Sequence, residues 1–153
     1  MYFLELNTNE KRKEYEQYML KISEKYPKTI LKLFKECGRF HDYYLANFSF
    51  SRDDVIYRND HDKVTLTLFS DICRSEDYLV LEFCKIEHLS FDTDFLGNYK
   101  EFFLNSIYYA ELGIVSSGNF TFELLVSDGP RLYFEFKKCK VLKRKKPRFF
   151  LGG

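Results

Sequence analysis

The stretch Lys63-Val64-Thr65-Leu66-Thr67-Leu68 decides the fold, because polar and apolar side chains alternate in it without a break. Successive side chains of a β-strand point to opposite faces, so this period buries one set and leaves the other in water. The turn-forming run Asn59-Asp60-His61-Asp62 directly precedes the stretch. The segment therefore predicts a half-buried strand with Val64, Leu66 and Leu68 in the core.

The same period of two recurs on both sides of this strand. Upstream, Tyr44, Ala46, Phe48 and Phe50 alternate with Leu45, Asn47 and Ser49. Short turns join several of the alternating stretches, which favours antiparallel neighbours in a meander. We therefore expect residues 42–142 to form an antiparallel sheet of five or more strands. The residues predicted to be buried in it are Leu66, Leu68, Leu81, Phe83, Phe134 and Phe136.

Two helices are predicted before the strands. The run Asn7-Thr8-Asn9-Glu10 has the side chains of a helix N-cap. An apolar stripe at helical spacing follows, formed by Tyr15, Tyr18, Met19, Ile22 and Tyr26. Pro27 interrupts it, and Gly38 is placed to end a second helix. That helix has one apolar face, formed by Ile30, Leu33, Phe34 and Cys37. The predicted fold class is α+β, with these helices packed on one face of the sheet.

Length and composition indicate one domain inside a cell. The chain has 153 residues, of which 45% are hydrophobic and 31% charged. Charged residues appear too early for a signal peptide, and no apolar run could span a membrane, so we expect a cytoplasmic location. Free thiols are the favoured state of the four cysteines, with a disulfide as the alternative and a zinc site weaker still. These are Cys37, Cys73, Cys84 and Cys139.

Charge is divided unevenly along the chain. Residues 1–136 carry 16 basic and 23 acidic side chains, a net charge of −7, and no acidic residue follows Glu135. We therefore divide the chain into a domain of residues 1–142 and a basic tail of residues 143–153. Eight basic side chains fall after residue 136: Lys137, Lys138, Lys140, Lys143, Arg144, Lys145, Lys146 and Arg148. An acidic body repels phosphate, so a solvated chain end is favoured over a nucleic-acid site or an address signal.

Two short motifs could carry metal chemistry. His41-Asp42 resembles the metal-binding dyad of helical phosphohydrolases, yet here it opens a strand, and hydrogen bonding at a helix-to-strand corner is the favoured interpretation. Asp60-His61-Asp62 could bind a cation, although such runs are usually turns. We find no serine-nucleophile elbow, phosphate-binding loop or dinucleotide fingerprint. We therefore predict no catalytic residue, no tightly bound metal and no cofactor.

Three short motifs resemble small bacterial domains of unknown function, some of which are similar to immunity proteins of polymorphic toxin systems. They are Phe40-His41-Asp42, the stretch from Tyr78 to Glu82-Phe83, and Ser127-Asp128-Gly129 before Tyr133-Phe134-Glu135-Phe136. Together they cover roughly residues 40–142. The resemblance implies a binding protein without catalytic residues, which acts by occluding its partner.

The acidic charge suggests the kind of partner. Complementary charge speeds the encounter of two proteins, so an acidic surface fits a basic protein such as a toxin domain. Asp53, Asp54, Asp60 and Asp62, on two adjacent predicted turns, are the candidate partner-binding residues. The alternatives are a small metal-dependent hydrolase centred on His41 and Asp42, and a scaffold subunit of a larger assembly.

Overall fold

A computed structural model describes residues 9–52, 62–70, 77–92, 106–126 and 131–145. Helix α1 runs from Asn9 to Ile22 and helix α2 from Lys28 to Glu36, and Pro27 stands between them as predicted. In α1 and the turn after it, Tyr15, Ile22 and Tyr26 of the predicted stripe are buried, whereas Tyr18 and Met19 are partly buried. All four predicted positions on the apolar face of α2 are buried.

Eight strands among the described residues form two antiparallel sheets, which confirms the α+β class. The strands are β1 (Tyr44–Arg52), β2 (Asp62–Ser70), β3 (Asp77–Cys84), β4 (His88–Asp92), β5 (Ile107–Ile114), β6 (Phe120–Val126), β7 (Arg131–Phe136) and β8 (Lys138–Lys145). Sheet A has the order β1-β2-β3-β8 and sheet B the order β4-β7-β6-β5.

Strands that bend from one sheet into the other connect the two sheets. Strand β3 continues after a three-residue corner as β4, and β7 continues after Lys137 alone as β8. Backbone hydrogen bonds tie the two corners together: Lys137 N–H donates to the carbonyl of Cys84, and Glu87 N–H donates to that of Glu135. Lys85 lies at φ 57°, in the left-handed region, where the chain turns. Such corners let two sheets enclose one core.

The core lies between the sheets, and its aromatic centre is Phe83. The Phe83 ring centroid lies 4.8 Å from those of Phe134 and Phe136 and 5.2 Å from that of Phe122. All six residues predicted to be buried have no solvent-exposed surface, so the predicted phases of β2, β3 and β7 are confirmed.

The alternation of side chains along β1 is interrupted in its first half. Leu45 is completely buried while Ala46 is exposed, because an irregularity between Leu45 and Asn47 shifts the register against β2. One extra residue in a strand reverses the faces of the side chains beyond it. Beyond the irregularity, Phe48 and Phe50 stand opposite the buried Leu66 and Val64, and Phe50, near the end of the strand, lies 45% exposed.

The helices contact strands of both sheets. On the sheet B side, the Tyr26 hydroxyl donates to the carbonyl of Thr121 at 2.8 Å, and the Tyr18 hydroxyl accepts from the N–H of Ile114 at 3.1 Å. On the sheet A side, Arg144 of β8 pairs with Glu36 of α2 at 2.6 Å. Neither helix is long and apolar enough to traverse a lipid bilayer.

The boundary predicted between domain and tail needs correction. Strand β8 extends to Lys145 and pairs with β3 along its length, so residues 143–145 belong to sheet A. Arg144 points inward and also contacts the buried carboxylate of Asp77 at 3.5 Å. The run of basic residues obscured the strand because alternation of Lys with apolar side chains continues only to Val141. Residues 146–153 lie outside the described residues.

Candidate functional site

The His41-Asp42 dyad lies at the corner where the helices give way to β1. Its two side chains pair with each other, with His41 Nδ1 2.9 Å from Asp42 Oδ2, and both are about half exposed. The His41 ring also lies 6.2 Å from the Tyr108 ring and 6.4 Å from the Tyr109 ring. The dyad is therefore a surface pair beside the start of β5.

An unusual backbone conformation holds this corner. Gly38, Arg39, Phe40 and Asp42 all have φ between 57° and 68°, which costs roughly 1–2 kcal/mol for each non-glycine residue. Burial of the Phe40 ring, which contacts Phe34, Tyr43 and Phe122, offsets part of that cost.

The backbone of the corner is also anchored to β5. Asp42 N–H donates to the carbonyl of Ile107, and Ile107 N–H donates to that of Tyr43 at 2.6 Å. The sequence predicts that His41 and Asp42 hydrogen-bond the backbone at this corner. The hydrogen bonds that anchor it join main-chain groups, whereas the side chains of His41 and Asp42 pair with each other.

Beside the corner, a polar pocket of about 280 Å³ opens between α1 and β5. Its lining consists of Arg12, Tyr15, Glu16, Arg39 and Tyr109. The Arg39 guanidinium lies 5.1 Å from the centre of the Tyr15 ring, within cation–π range. Two guanidinium groups and one carboxylate give this pocket a net positive charge.

Potential metal ligands do not converge in the described part of the chain. No three of its His, Cys, Asp and Glu side chains are arranged to hold a metal ion. Of the predicted cation-binding turn, only Asp62 is described. The absence of a tightly bound metal or cofactor stays a prediction.

The described thiols are poorly suited to nucleophilic catalysis. Burial raises the pKa of Cys37 and of Cys84, and it raises the pKa of Cys139 to about 12. A thiol reacts as its thiolate, so these cysteines are weak nucleophiles near neutral pH. Cys84 ends β3 and His88 begins β4, and the Cys84 thiol hydrogen-bonds Glu82 at 3.5 Å. Cys73 lies outside the described residues.

The four candidate partner-binding aspartates divide into two groups. Asp53, Asp54 and Asp60 lie outside the described residues. Asp62 begins β2 and is only 7% exposed. Its Oδ1 atom lies 3.2 Å from Arg52 Nε of β1, which is close enough for an ion pair, but the two groups are not aligned for a hydrogen bond. Its charge is therefore largely enclosed, and Asp62 offers a partner little accessible surface.

Two carboxylates that sequence reasoning missed lie on the outer face of sheet B. Glu123 of β6 stands opposite Glu111 of β5 in the strand register, and it is 9% exposed. Burial raises the pKa of Glu123 to about 7, and the negative charge of the neighbouring Glu111 adds to this effect. The positive charge of Arg131 lowers the pKa and partly offsets the rise. Two glutamates within apolar strand segments were the available signal, but their pairing depends on the register.

The outer face of sheet A carries a different charge. In the strand register, Lys138, Lys140, Lys143 and Lys145 of β8 stand opposite the outward side chains of β3. Next to them, Tyr44, Phe69 and Tyr78 stand in register across β1, β2 and β3. The sheet thus brings lysines of the last described strand beside aromatic residues from three other strands.

Comparison with known protein families, curated proteins and solved structures gave no match for this chain.

Proposed function

We propose that the chain is a non-catalytic binding protein that occludes a basic partner protein, in the manner of an immunity protein bound to its toxin. The observation that carries this proposal is where the acidic charge lies. Within residues 1–136, the described helices, strands and turns contain 13 basic and 14 acidic side chains, close to balance. The remaining segments contain 3 basic and 9 acidic side chains.

The acidic excess therefore lies in the stretches of sequence before and between the described elements. Connecting segments carry binding residues in many proteins because a rigid scaffold can present them without being disturbed by their variation. The sheets provide such a scaffold, with a core that includes the fully buried Phe83, Phe122 and Phe134. A basic partner would be attracted to these segments, and nucleic acid would be repelled from the same place.

The hydrolase alternative has less support. His41 and Asp42 form a pair without a third metal ligand in the described part of the chain. Their neighbours are the tyrosines Tyr108 and Tyr109, which are uncommon metal ligands. A scaffold subunit would share the binding function proposed here and would differ only in its partner.

The aspartates provide the first test. We expect the triple variant Asp53→Asn, Asp54→Asn, Asp60→Asn to associate with the partner more slowly at low salt, because it removes three charges from one acidic segment. Its thermal stability should remain close to that of the wild type. The measurement is stopped-flow association with the basic protein captured from the native host, together with thermal unfolding.

Asp62→Asn serves as the matched control. It removes one carboxylate charge of the same kind, but from a buried side chain that pairs with the partly exposed Arg52, so its main effect should be a loss of stability with little change in association rate. An unchanged rate in the triple variant would contradict the proposal, as would a partner that proves acidic.

A further inference from the structure

The outer face of sheet A combines basic and aromatic side chains. We define the lysine–aromatic face as the outward side chains of this sheet that are basic or aromatic. They are Tyr44, Lys63, Phe69, Tyr78, Lys138, Lys140, Lys143 and Lys145. The inward residues Leu66 and Leu81, on the other side of the sheet, belong to the core.

The lysines of β8 form one line along the edge of the sheet. Lys138 and Lys140 stand opposite Cys84 and Glu82, and Lys143 stands opposite Val80. Side chains two residues apart on one face of a strand are separated by roughly 6.5 Å. The register shifts between Val80 and Leu81, where two residues of β8 are passed for one of β3, and Lys143 therefore lies on the outward face together with Lys138 and Lys140. All four lysines of this strand are exposed, and the line presents repeated positive charge at the edge.

The aromatic side chains form a row that crosses the strands near one end of this line. The Tyr44 and Phe69 rings stack with centroids 5.2 Å apart, and Phe69 stands opposite Tyr78 in the register. Lys143 Nζ lies 5.5 Å from the centre of the Tyr78 ring. Because Tyr78 also stands opposite Lys145, the aromatic row and the line of lysines meet at Tyr78. All three rings are partly exposed.

Negative charge is nearly absent from this face. Among the described outward side chains of sheet A, Glu82 is the only acidic one; it is mostly buried and pairs with Lys140 at 3.2 Å. The expectation that a phosphate chain would be repelled rested on the summed charge of residues 1–136. The described residues of that range have nearly equal numbers of basic and acidic side chains, so the helices and strands around the lysine–aromatic face would not repel a phosphate chain.

The chemistry of the face indicates its ligand. A line of lysines fits a chain of phosphates, and exposed rings on a sheet provide stacking surfaces for unpaired bases. An acidic protein segment would use the lysines and leave the rings without a role. Duplex DNA is read mainly by elements that enter a groove, and this face is a sheet surface. We propose that the lysine–aromatic face binds single-stranded nucleic acid, with the lysines on phosphates and the rings on bases.

The face also has an alternative explanation within the fold. Lysines on an edge strand prevent sheets from pairing edge to edge, and β8 is an edge strand. That role requires charge only and is indifferent to the aromatic row. The two explanations differ in whether the rings contribute to binding a ligand.

The test uses the full chain and fluorescent oligo-uridine and oligo-deoxythymidine of about 12 nucleotides, a length within the range that single-strand sites cover. Binding is measured by anisotropy at several salt concentrations. We expect saturable binding to at least one oligomer, with affinity that falls as salt rises. The quadruple variant Lys138→Gln, Lys140→Gln, Lys143→Gln, Lys145→Gln should bind at least tenfold more weakly and show a shallower dependence on salt.

Two further variants separate the face from general electrostatics. Phe69→Leu with Tyr78→Leu keeps apolar bulk but removes the stacking surfaces, so affinity should fall about fivefold or more. Lys13→Gln, Lys21→Gln, Lys25→Gln and Lys28→Gln together remove the same charge from exposed positions on the helices and the turn between them, and should leave affinity within about twofold. Circular dichroism checks that each variant keeps its fold.

Several results would overturn the proposal. One is the absence of saturable binding at low salt. Another is an equal loss in the two quadruple variants, which would indicate nonspecific attraction. A third is unchanged affinity in the leucine variant, or equal binding of polyglutamate, since the face would then attract any polyanion. None of these outcomes bears on Asp53, Asp54 and Asp60, so the proposed protein partner is tested separately.

Discussion

Replacing Phe83 with alanine is expected to lower the free energy of unfolding by about 3–5 kcal/mol. The ring is completely buried and contacts Phe122 and Phe134 from the opposite sheet, so its removal leaves a cavity between the sheets. Side chains from two different sheets surround that cavity, and the bent strands limit how far they can collapse into it. Urea unfolding, monitored by circular dichroism, measures the decrease in the free energy of unfolding.

Phe50→Ala is the matched control for this prediction. The same side chain is removed there, but from a position on β1 that is 45% exposed, so the expected cost is below about 1 kcal/mol. Similar losses at the two positions would mean that the sheets do not pack around Phe83 as described. A small loss for Phe83→Ala alone would have the same meaning.

Glu123→Gln is expected to stabilise the protein at pH 8 and to have little effect at pH 5. The pKa of Glu123 rises from an ordinary value of 4.5 to about 7 in the folded protein, chiefly because the carboxyl group is buried. The folded state therefore binds this proton more tightly than the unfolded state. The resulting stability is fully present below pH 4.5 and is lost as pH rises through about 7. The difference at pH 8 should reach at most about 3 kcal/mol.

The comparison is made between variants at each pH, because other carboxylates that are paired in the fold change stability in the opposite direction. Glu24→Gln, at an exposed position after α1, should show the same small effect at both pH values. If Glu123→Gln stabilised equally at pH 5 and pH 8, the carboxyl group would not titrate in this range. If it destabilised at pH 8, the ionised form would have favourable partners.

Much of the fold could be predicted because burial in β-strands follows a period of two. Leu66, Phe83 and Phe134 lie on uninterrupted alternations, and all three are in the core. The division into two sheets could not be predicted, since it depends on corners at residues 85–87 and at Lys137 that have no glycine or proline. The irregularity after Leu45 could not be predicted for a related reason, because an extra residue in a strand does not change the composition of the segment.

The surfaces were harder to predict than the core. Lys143 and Lys145 were assigned to a tail because the run of basic residues has no helical or strand period after Val141. Only the pairing of β8 with β3 places them beside Tyr78. Glu111 and Glu123 were missed because each is an isolated carboxylate in sequence, and the β5–β6 register brings them together. Binding surfaces on a sheet depend on cross-strand neighbours, which sequence spacing does not contain.

We propose that the acidic segments before and between the described elements steer a basic partner protein to this chain. The most direct measurement is the association rate of the wild-type chain with its captured partner as ionic strength rises from about 0.01 M to about 0.1 M, which shortens the screening length from about 30 Å to about 10 Å. We predict that the rate falls several-fold, while the dissociation rate changes much less. An association rate that stays constant or increases with salt would contradict the claim.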